Sequence, residues 1–550
     1  MDEYLWYKSY DKGVPHSLEP YPRKTILDVI REAGRERPDY PMLIFQDRKV
    51  SYREVENESD ALAAALAGMG VRKGDRVAAL FLNCPQNYIL FFAVWKLGAI
   101  IVPLNPLYTE FELEARLKDV NAGVAVVLNL WYGMVKRFQG RTSVKTVILT
   151  EFDDYTTPDK EKSASVIEQG DHWWLDLTRK YAGAKPPEVE VKPEDTAMIL
   201  FSGGTTGTPK GVMESHHSLV ITGLQVAAWF NAVSIGWDEM FLVPLPLFHS
   251  FGIYASFGMA LVQHNVSVLV ANPRDIKGMV ETIKKYKITN TGAAPSMFIS
   301  LLEYPELKPG DLKSLRMATS GAAPLMRETK EQLEKHISGR VAEGYALTES
   351  GMAMLTTPAL GKWKEGSIGL PLPDTIIRIV DIDTATRDVA QGENGEILMK
   401  APQLMQGYWN RPEETKEILR DGWLYTGDIG YMDDEGYVFL TSRKKDVIKC
   451  GGFQVWPREI EEILMAHPAV AEACVGGIPD PRQMEAVKAW IVLKADQTVS
   501  PEELQIFCRE KLTGYKVPRF IEFRKDLPKT FVGKVLRRLL QDEEISRQEK

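Results

Sequence analysis

Residues 202–211 read SGGTTGTPKG, with four glycines, three threonines, one serine and one lysine. Successive backbone N–H groups of such a loop can point into one concavity and hold an anion. The hydroxyls of Ser202, Thr205, Thr206 and Thr208 add donors, and Lys210 adds a full positive charge. A plain turn explains the glycines, because glycine tolerates positive φ, but it does not explain the lysine. The pattern therefore reads as a phosphate cradle. It is not a Walker loop, which needs Gly-Lys followed by Ser or Thr; here Pro209 precedes Lys210 and Gly211 follows it. A dinucleotide fingerprint also fails, since Gly68-Met69-Gly70 runs on to Lys73 where glycine is required.

The elements that deliver this loop are legible around it. Ala197-Met198-Ile199-Leu200-Phe201 is an apolar run and reads as a buried strand leading into it. Upstream, Ser51 with Glu54 and Thr109 with Glu112 form capping boxes that open helices. RVAALFL (76–82), AIIVPL (99–104) and VAVVLN (124–129) read as strands, and a helix after Pro85 stops near Gly98. This β-α-β-α-β rhythm predicts an α/β fold with a large N-terminal domain of helix-covered, mostly parallel sheets. Beyond about residue 445, AWIVLK and FIEF frame a helix capped at Ser500, which predicts a smaller α+β C-terminal domain. The polar stretch Ser442–Asp446 marks the junction, giving domains 1–443 and 444–550.

Composition narrows the function classes. At 550 residues the chain is too long for one ordinary core, and about three to four domain-sized units are expected. Hydrophobic residues are 44% and charged residues 26%, as in ordinary globular proteins. A net charge of −8 gives no electrostatic case for nucleic acid. The four cysteines, Cys84, Cys450, Cys474 and Cys508, form no C-x-x-C pair, so neither a disulfide framework nor a zinc site is supported and a reducing, cytoplasmic setting is expected. No signal peptide is read in MDEYLWYKSYDKG. The apolar stretch around 88–104 is broken by Lys96 and closed by Pro103, so no transmembrane segment is expected, while peripheral membrane contact stays open.

Four further stretches carry chemistry-bearing residues: PLPLFHSFG (244–252), EGYALTES (343–350), residues 425–461 beginning YTGDIGYMDDEGYVFLTSRKKDVIKCGG, and LPKTFVGKVLRR (527–538). Together with SGGTTGTPKG, in this order and spacing, the chain resembles the adenylate-forming superfamily of acyl-CoA synthetases, beetle luciferases and peptide-synthetase adenylation domains. The N-terminal YDKGVP and the overall length resemble fatty-acyl-CoA synthetases most.

The resemblance implies an acid–thiol ligase using ATP, Mg²⁺ and coenzyme A, with a fatty acid, expected to be long-chain, as the acid. Ser202, Gly203, Gly204, Thr205, Thr206, Gly207 and Lys210 would hold the β- and γ-phosphates. The rest of the nucleotide site would come from Gly321, Ala322, Glu343, Gly344, Tyr345, Ala346, Leu347, Thr348 and Asp428. Tyr345 would stack on adenine and Asp428 would accept the ribose hydroxyls. Thr205 and Glu349 would sit at the metal, whose hardness suits oxygen ligands. Arg443 would pair with ribose or α-phosphate, and Lys534 would reach the α-phosphate and the acyl carboxylate, where a compact cation meets building charge. His249, Phe251, Ile253 and Ala346 would line the acyl pocket. Lys449, Gly451 and Gly452 would border the pantetheine channel, and Lys445 matches the family's hinge.

Several positions depart from the family pattern. Gly203 stands where relatives carry Ser or Thr, Glu343 replaces a usual Gln, Ala346 replaces a common Gly, and Gly451 stands where some relatives carry Lys. Phe248 is followed by His249 rather than by the Asp of amino-acid activators. Medium-chain or aryl acids, an acyl-AMP ligase that loads a carrier protein, and a non-catalytic nucleotide-binding protein are the rival readings. Oligomeric state is not legible.

Overall fold

A computed structural model describes residues 4–158, 167–202, 209–351, 355–450, 453–480, 483–530 and 533–548. Three sheets organise the chain. The first carries the phosphate-loop strand. Its parallel part runs, in spatial order, Thr196–Phe201, Ile100–Pro103, Arg76–Leu80, Val124–Leu128, Thr146–Thr150 and His172–Trp173. Gly211–Ser215 pairs antiparallel with Thr196–Phe201, so the chain enters and leaves residues 202–210 on adjacent strands. Gly407–Tyr408 closes that edge.

The second sheet has a parallel half in the order Pro41–Phe45, Val266–Leu269, Met240–Val243, Asn290–Ala293, Met317–Ser320 and Arg340–Tyr345. From Leu355–Thr356 onward it continues as antiparallel strands to Ile376–Val380. Helix-covered parallel sheets are thus present as expected, and residues 355–443 add an antiparallel extension that the early β-α rhythm did not announce. A short hairpin-like connection suits antiparallel strands, whereas a parallel pair needs a crossover helix.

Local sequence explains the helices that cover these sheets. Ser51 and Thr109 form the two capping boxes, opening Tyr52–Gly68 and Glu110–Val120. The helix Pro85–Lys96 has every residue buried, so its apolar character is all-round rather than a stripe. Lys96 is tolerated inside because its Nζ donates to Asp60 at 2.6 Å and to Ser59 at 2.8 Å. One continuous core, from Ile26 to Leu269, joins this helix to both sheets.

The third sheet holds Phe453–Val455, Ile448–Cys450, Met484–Leu493 and Val470–Asp480, with Phe520–Arg524 added parallel to Met484–Leu493. It packs its own core of Ile448, Val475, Ala489 and Leu504 against the helices Pro457–Met465 and Pro501–Arg509. The last strand of the second sheet ends at Arg443 and the third sheet starts at Ile448, so four residues, 444–447, span the two. No helix among the described residues is long and apolar enough to cross a membrane.

Candidate active site

Strand ends from the first two sheets and one loop from the third converge on a cavity of about 1190 Å³. Ser202 and Lys210 reach it from the ends of the phosphate-loop strands, and their backbones close on each other, Ser202 N donating to Lys210 O at 2.9 Å. Gly321 and Ala322 line it from the turn after Met317–Ser320. Ala322 holds φ +69°, a left-handed conformation that costs a non-glycine residue energy and recurs at functional sites. Gly344, Tyr345, Ala346, Leu347, Thr348 and Glu349 line it from the end of Arg340–Tyr345. His249 and Phe251 line it from the start of the 250–260 helical segment.

Lys529, Thr530 and Lys534 of the small domain also line the cavity. Lys534 N donates to Thr530 Oγ1 at 3.1 Å, and Thr530 N donates back to Lys534 O at 2.8 Å, a tight turn that fixes the lysine's base. Gly533 makes the approach feasible: it holds φ +81°, and a Cβ there would meet Ser296 Oγ of the large domain at 2.9 Å.

Charge is concentrated where the domains meet. Arg443 lines the main cavity and also a cleft of about 300 Å³ shared with Thr426, Gly427, Asp428, Lys444 and Lys445. Its Nε lies 3.1 Å from Asp428 Oδ1, and Asp428 Oδ2 accepts from the Tyr345 hydroxyl. Asp428 therefore joins the phenol of one strand end to the guanidinium of another. Burial first, and then the nearby Arg443, push the Lys534 ammonium down to about 8. The same two causes bring Lys445 down to about 8. Burial, aided by Lys534, holds His249 down to about 4, so its imidazole is neutral at pH 7 and its Nδ1 accepts from Phe251 N at 3.2 Å.

The AMP-binding enzyme family matches residues 30–409, and its C-terminal domain matches residues 459–534. The chain belongs to the AMP-binding enzyme family. It is 38% identical over 551 residues, 98% of either chain, to the long-chain-fatty-acid–CoA ligase of Bacillus subtilis (strain 168). Among solved structures it is similar to ATP-bound MatB from Rhodopseudomonas palustris, with TM-score 0.84 and 27% identity over 95% of this chain and 100% of that one. It is also similar to the Bacillus subtilis O-succinylbenzoate coenzyme A synthetase in complex with ATP and magnesium ion, with TM-score 0.80 and 27% identity over 95% and 100%.

For an AMP-binding enzyme the donor set is coherent. Glu349 turns its carboxylate to the cavity, with Oε1 accepting from the Tyr408 hydroxyl at 2.9 Å, and a carboxylate oxygen suits a hard divalent cation. Gly203, Gly204, Thr205, Thr206, Gly207 and Thr208, like Gly451 and Gly452, lie outside the described residues.

Two expectations need correction. Ile253 does not line the cavity; it is fully buried in the main core, and Tyr254, Ala255 and Met259 take the wall instead. Glu343 does not line it either. Its carboxylate, raised chiefly by burial, accepts from Trp363 Nε1 at 2.7 Å, a donor that a buried acid requires. Lys449, expected at the pantetheine channel rather than at the nucleotide, is exposed on Ile448–Cys450 and does not line this cavity. Tyr408, Arg411 and Glu414 line the cavity and were missed. Lys210 Nζ lies 2.5 Å from Glu414 Oε2 and 4.8 Å over the Tyr408 ring. The signal was the segment GYWNRPEET (407–415), whose first strand pairs beside the phosphate loop.

Proposed function

We propose that this AMP-binding enzyme is an AMP-forming acid–thiol ligase whose acid is a long-chain fatty acid. The observation that carries the reading is convergence: Lys534 from the small domain enters the cavity that Lys210, Glu349, His249 and Arg443 line from the large one. The identity to the Bacillus subtilis ligase over the full length supports the choice of acid.

In the first half-reaction a carboxylate oxygen of the acid bonds to the α-phosphorus of ATP, and the bond from that phosphorus to pyrophosphate breaks. Lys210 and the loop around it hold the β- and γ-phosphates; Arg443 and Lys534 face the α-phosphate, where negative charge builds. Glu349, with Thr205, would hold Mg²⁺, which supplies charge neutralisation on the phosphates. In the second half-reaction the sulfur of coenzyme A bonds to the acyl carbon, the carbon–oxygen bond breaks with its electron pair leaving on the AMP phosphate, and the thiol proton passes to solvent. The acyl-adenylate makes this feasible because AMP is a good leaving group where the free carboxylate has none.

Residues 1–443 and 444–550 act as two domains in this reading, with the hinge at Lys445. The pose with Lys534 inward serves adenylation; a second pose brings Lys449, Gly451 and Gly452 to the thiol channel. We place the enzyme in the cytoplasm, which fits its four free, buried cysteines. The test is pyrophosphate release over acids from acetate to oleate, with benzoate and coumarate, with and without coenzyme A. Preference for hexadecanoate and oleate with coenzyme A-dependent thioester supports the reading. Turnover of aryl acids alone would move it to the aryl ligases, and acyl-AMP accumulation indifferent to coenzyme A would move it to a carrier-loading ligase.

A further inference from the structure

The strand Gly211–Ser215, which leaves the phosphate loop, carries a glutamate that the reaction does not use. Glu214 is fully buried. Its Oε2 lies 3.2 Å from Ser218 Oγ, a hydroxyl that also reaches Ser215 O at 2.8 Å and the Tyr254 hydroxyl at 3.4 Å. Its Oε1 has no hydrogen-bond partner among the described residues. Burial pushes this carboxyl up to about 8; Tyr254 and Ser218 oppose the shift, and Glu349 adds to it. A buried acid left without a full set of partners is costly, so an aliphatic residue would suit a purely structural position better.

What Glu214 touches has a place in the cavity. Ser218 belongs to the helix His216–Trp229, whose Thr222 and Val226, with Phe230 just beyond it, form one wall. Tyr254 begins the π-helical stretch Tyr254–Ala260, which supplies the adjoining part of the wall with Tyr254, Ala255 and Met259. The two walls already touch and cannot come closer: a Cβ on Gly223 would lie 2.1 Å from Gly258 O and 2.5 Å from Val262 Cγ2. With the backbones in close contact at Gly223 and Gly258, the Tyr254 side chain sits at this seam, and its hydroxyl lies beside Ser218 and Glu214.

We infer that Glu214 is a positioning residue for acid selectivity: through Ser218 it fixes the Tyr254 ring as a wall of the acyl-binding part of the cavity and so sets which acids fit. The inference rests on the ligase reading above for the acid's location. An amide at position 214 keeps a polar group within reach of Ser218 and an alkyl group does not, so Gln replaces Glu and Leu does not.

The experiment compares wild type with Glu214→Gln, Glu214→Leu and Tyr254→Phe, measuring kcat/KM for octanoate, dodecanoate and hexadecanoate and KM for ATP. Glu214→Gln should keep the wild-type ratios between acids. Glu214→Leu and Tyr254→Phe should change the dodecanoate-to-hexadecanoate ratio by about tenfold, the scale on which pocket shape discriminates methylenes, with KM for ATP unmoved. Equal losses for all three acids would overturn the inference, as would a Glu214→Leu crystal structure with the Tyr254 ring unmoved. If Glu214→Leu fails to fold, Tyr254→Phe carries the same comparison. If wild type ignores alkanoates and activates aryl acids, the substrate reading fails by itself; the same ratios, taken over the aryl acids, and the crystal structure still decide the role of Glu214.

Discussion

The Tyr408 hydroxyl donates to Glu349 Oε1 at 2.9 Å while Lys210 lies over the same tyrosine ring at 4.8 Å. One aromatic side chain thus links the carboxylate proposed for the metal to the lysine proposed for the phosphates. Glu349→Gln should raise the Mg²⁺ concentration needed for half-maximal pyrophosphate release, with excess Mg²⁺ restoring part of the rate, because a formal charge leaves the metal site. Tyr408→Phe should shift the same Mg²⁺ titration more weakly, since it removes an orienting hydrogen bond and no charge. An unchanged titration in Glu349→Gln would remove Glu349 from the metal site.

Lys534→Ala should nearly abolish adenylate formation, while thioester formation from supplied acyl-AMP should suffer far less. Burial and Arg443 lower the proton affinity of Lys534, and its charged form is the one that meets the α-phosphate. The kcat/KM for adenylation, which reports the free enzyme, should therefore fall as pH rises through about 8. Lys445 contributes to that depression, so Lys445→Gln should move this alkaline limb to higher pH. Equal loss of both half-reactions in Lys534→Ala would make the lysine structural.

Lys445→Pro should hold the small domain in the pose seen here. The backbone on either side is pinned in this pose, with Lys444 N donating to Gly427 O at 2.8 Å and Asp446 N to Arg443 O at 2.9 Å. Proline fixes its own φ and restricts the residue before it, so a swing through 445 is blocked. Pyrophosphate exchange should stay near normal and thioester formation should fall sharply, whereas Lys445→Ala should keep both near wild type at pH 7. If the proline variant is folded by circular dichroism and slows both halves equally, the swing is centred elsewhere.

Ala346 lines the cavity on the segment that also carries Tyr345 and Glu349. Ala346→Trp should shorten the longest acid accepted, measured as kcat/KM across a chain-length series. Uniform loss across the series would assign the position to the nucleotide instead.

The parts of the site that were legible are those whose residue types are unusual for their place. A lysine closing a glycine-rich loop, and capping serines and threonines three residues before a glutamate, announce themselves because no generic turn or helix needs them. The misplaced Ile253 shows the opposite case. In FGIYASFGMALV almost every residue is apolar, so no polarity marks the helix face that meets the cavity. Two residues beyond Phe251 is about 200° around an α-helix, which turns Ile253 into the core, and Tyr254, Ala255 and Met259 toward Phe251's side. Glu343 was misread because its donor, Trp363, lies twenty residues on and no local pattern couples the two. Tyr408 and Glu414 were missed because an eight-stranded sheet brings together segments about two hundred positions apart, a distance across which periodicity carries no information.

In the proposed two-pose cycle, the close approach of Gly533 to Ser296 would bear on how the small domain seats and leaves. A missing side chain there leaves a clearance rather than an attraction, so the inward pose is permitted by fit and held only by the contacts around it. Residue 533 acts as a latch without a catch: the domain can seat fully, yet nothing at that point must be broken for it to leave. A methyl group, as in Gly533→Ala, would be met by rotation of the Ser296 hydroxyl, so the cost of that substitution would lie in the φ of +81° that an alanine must then hold.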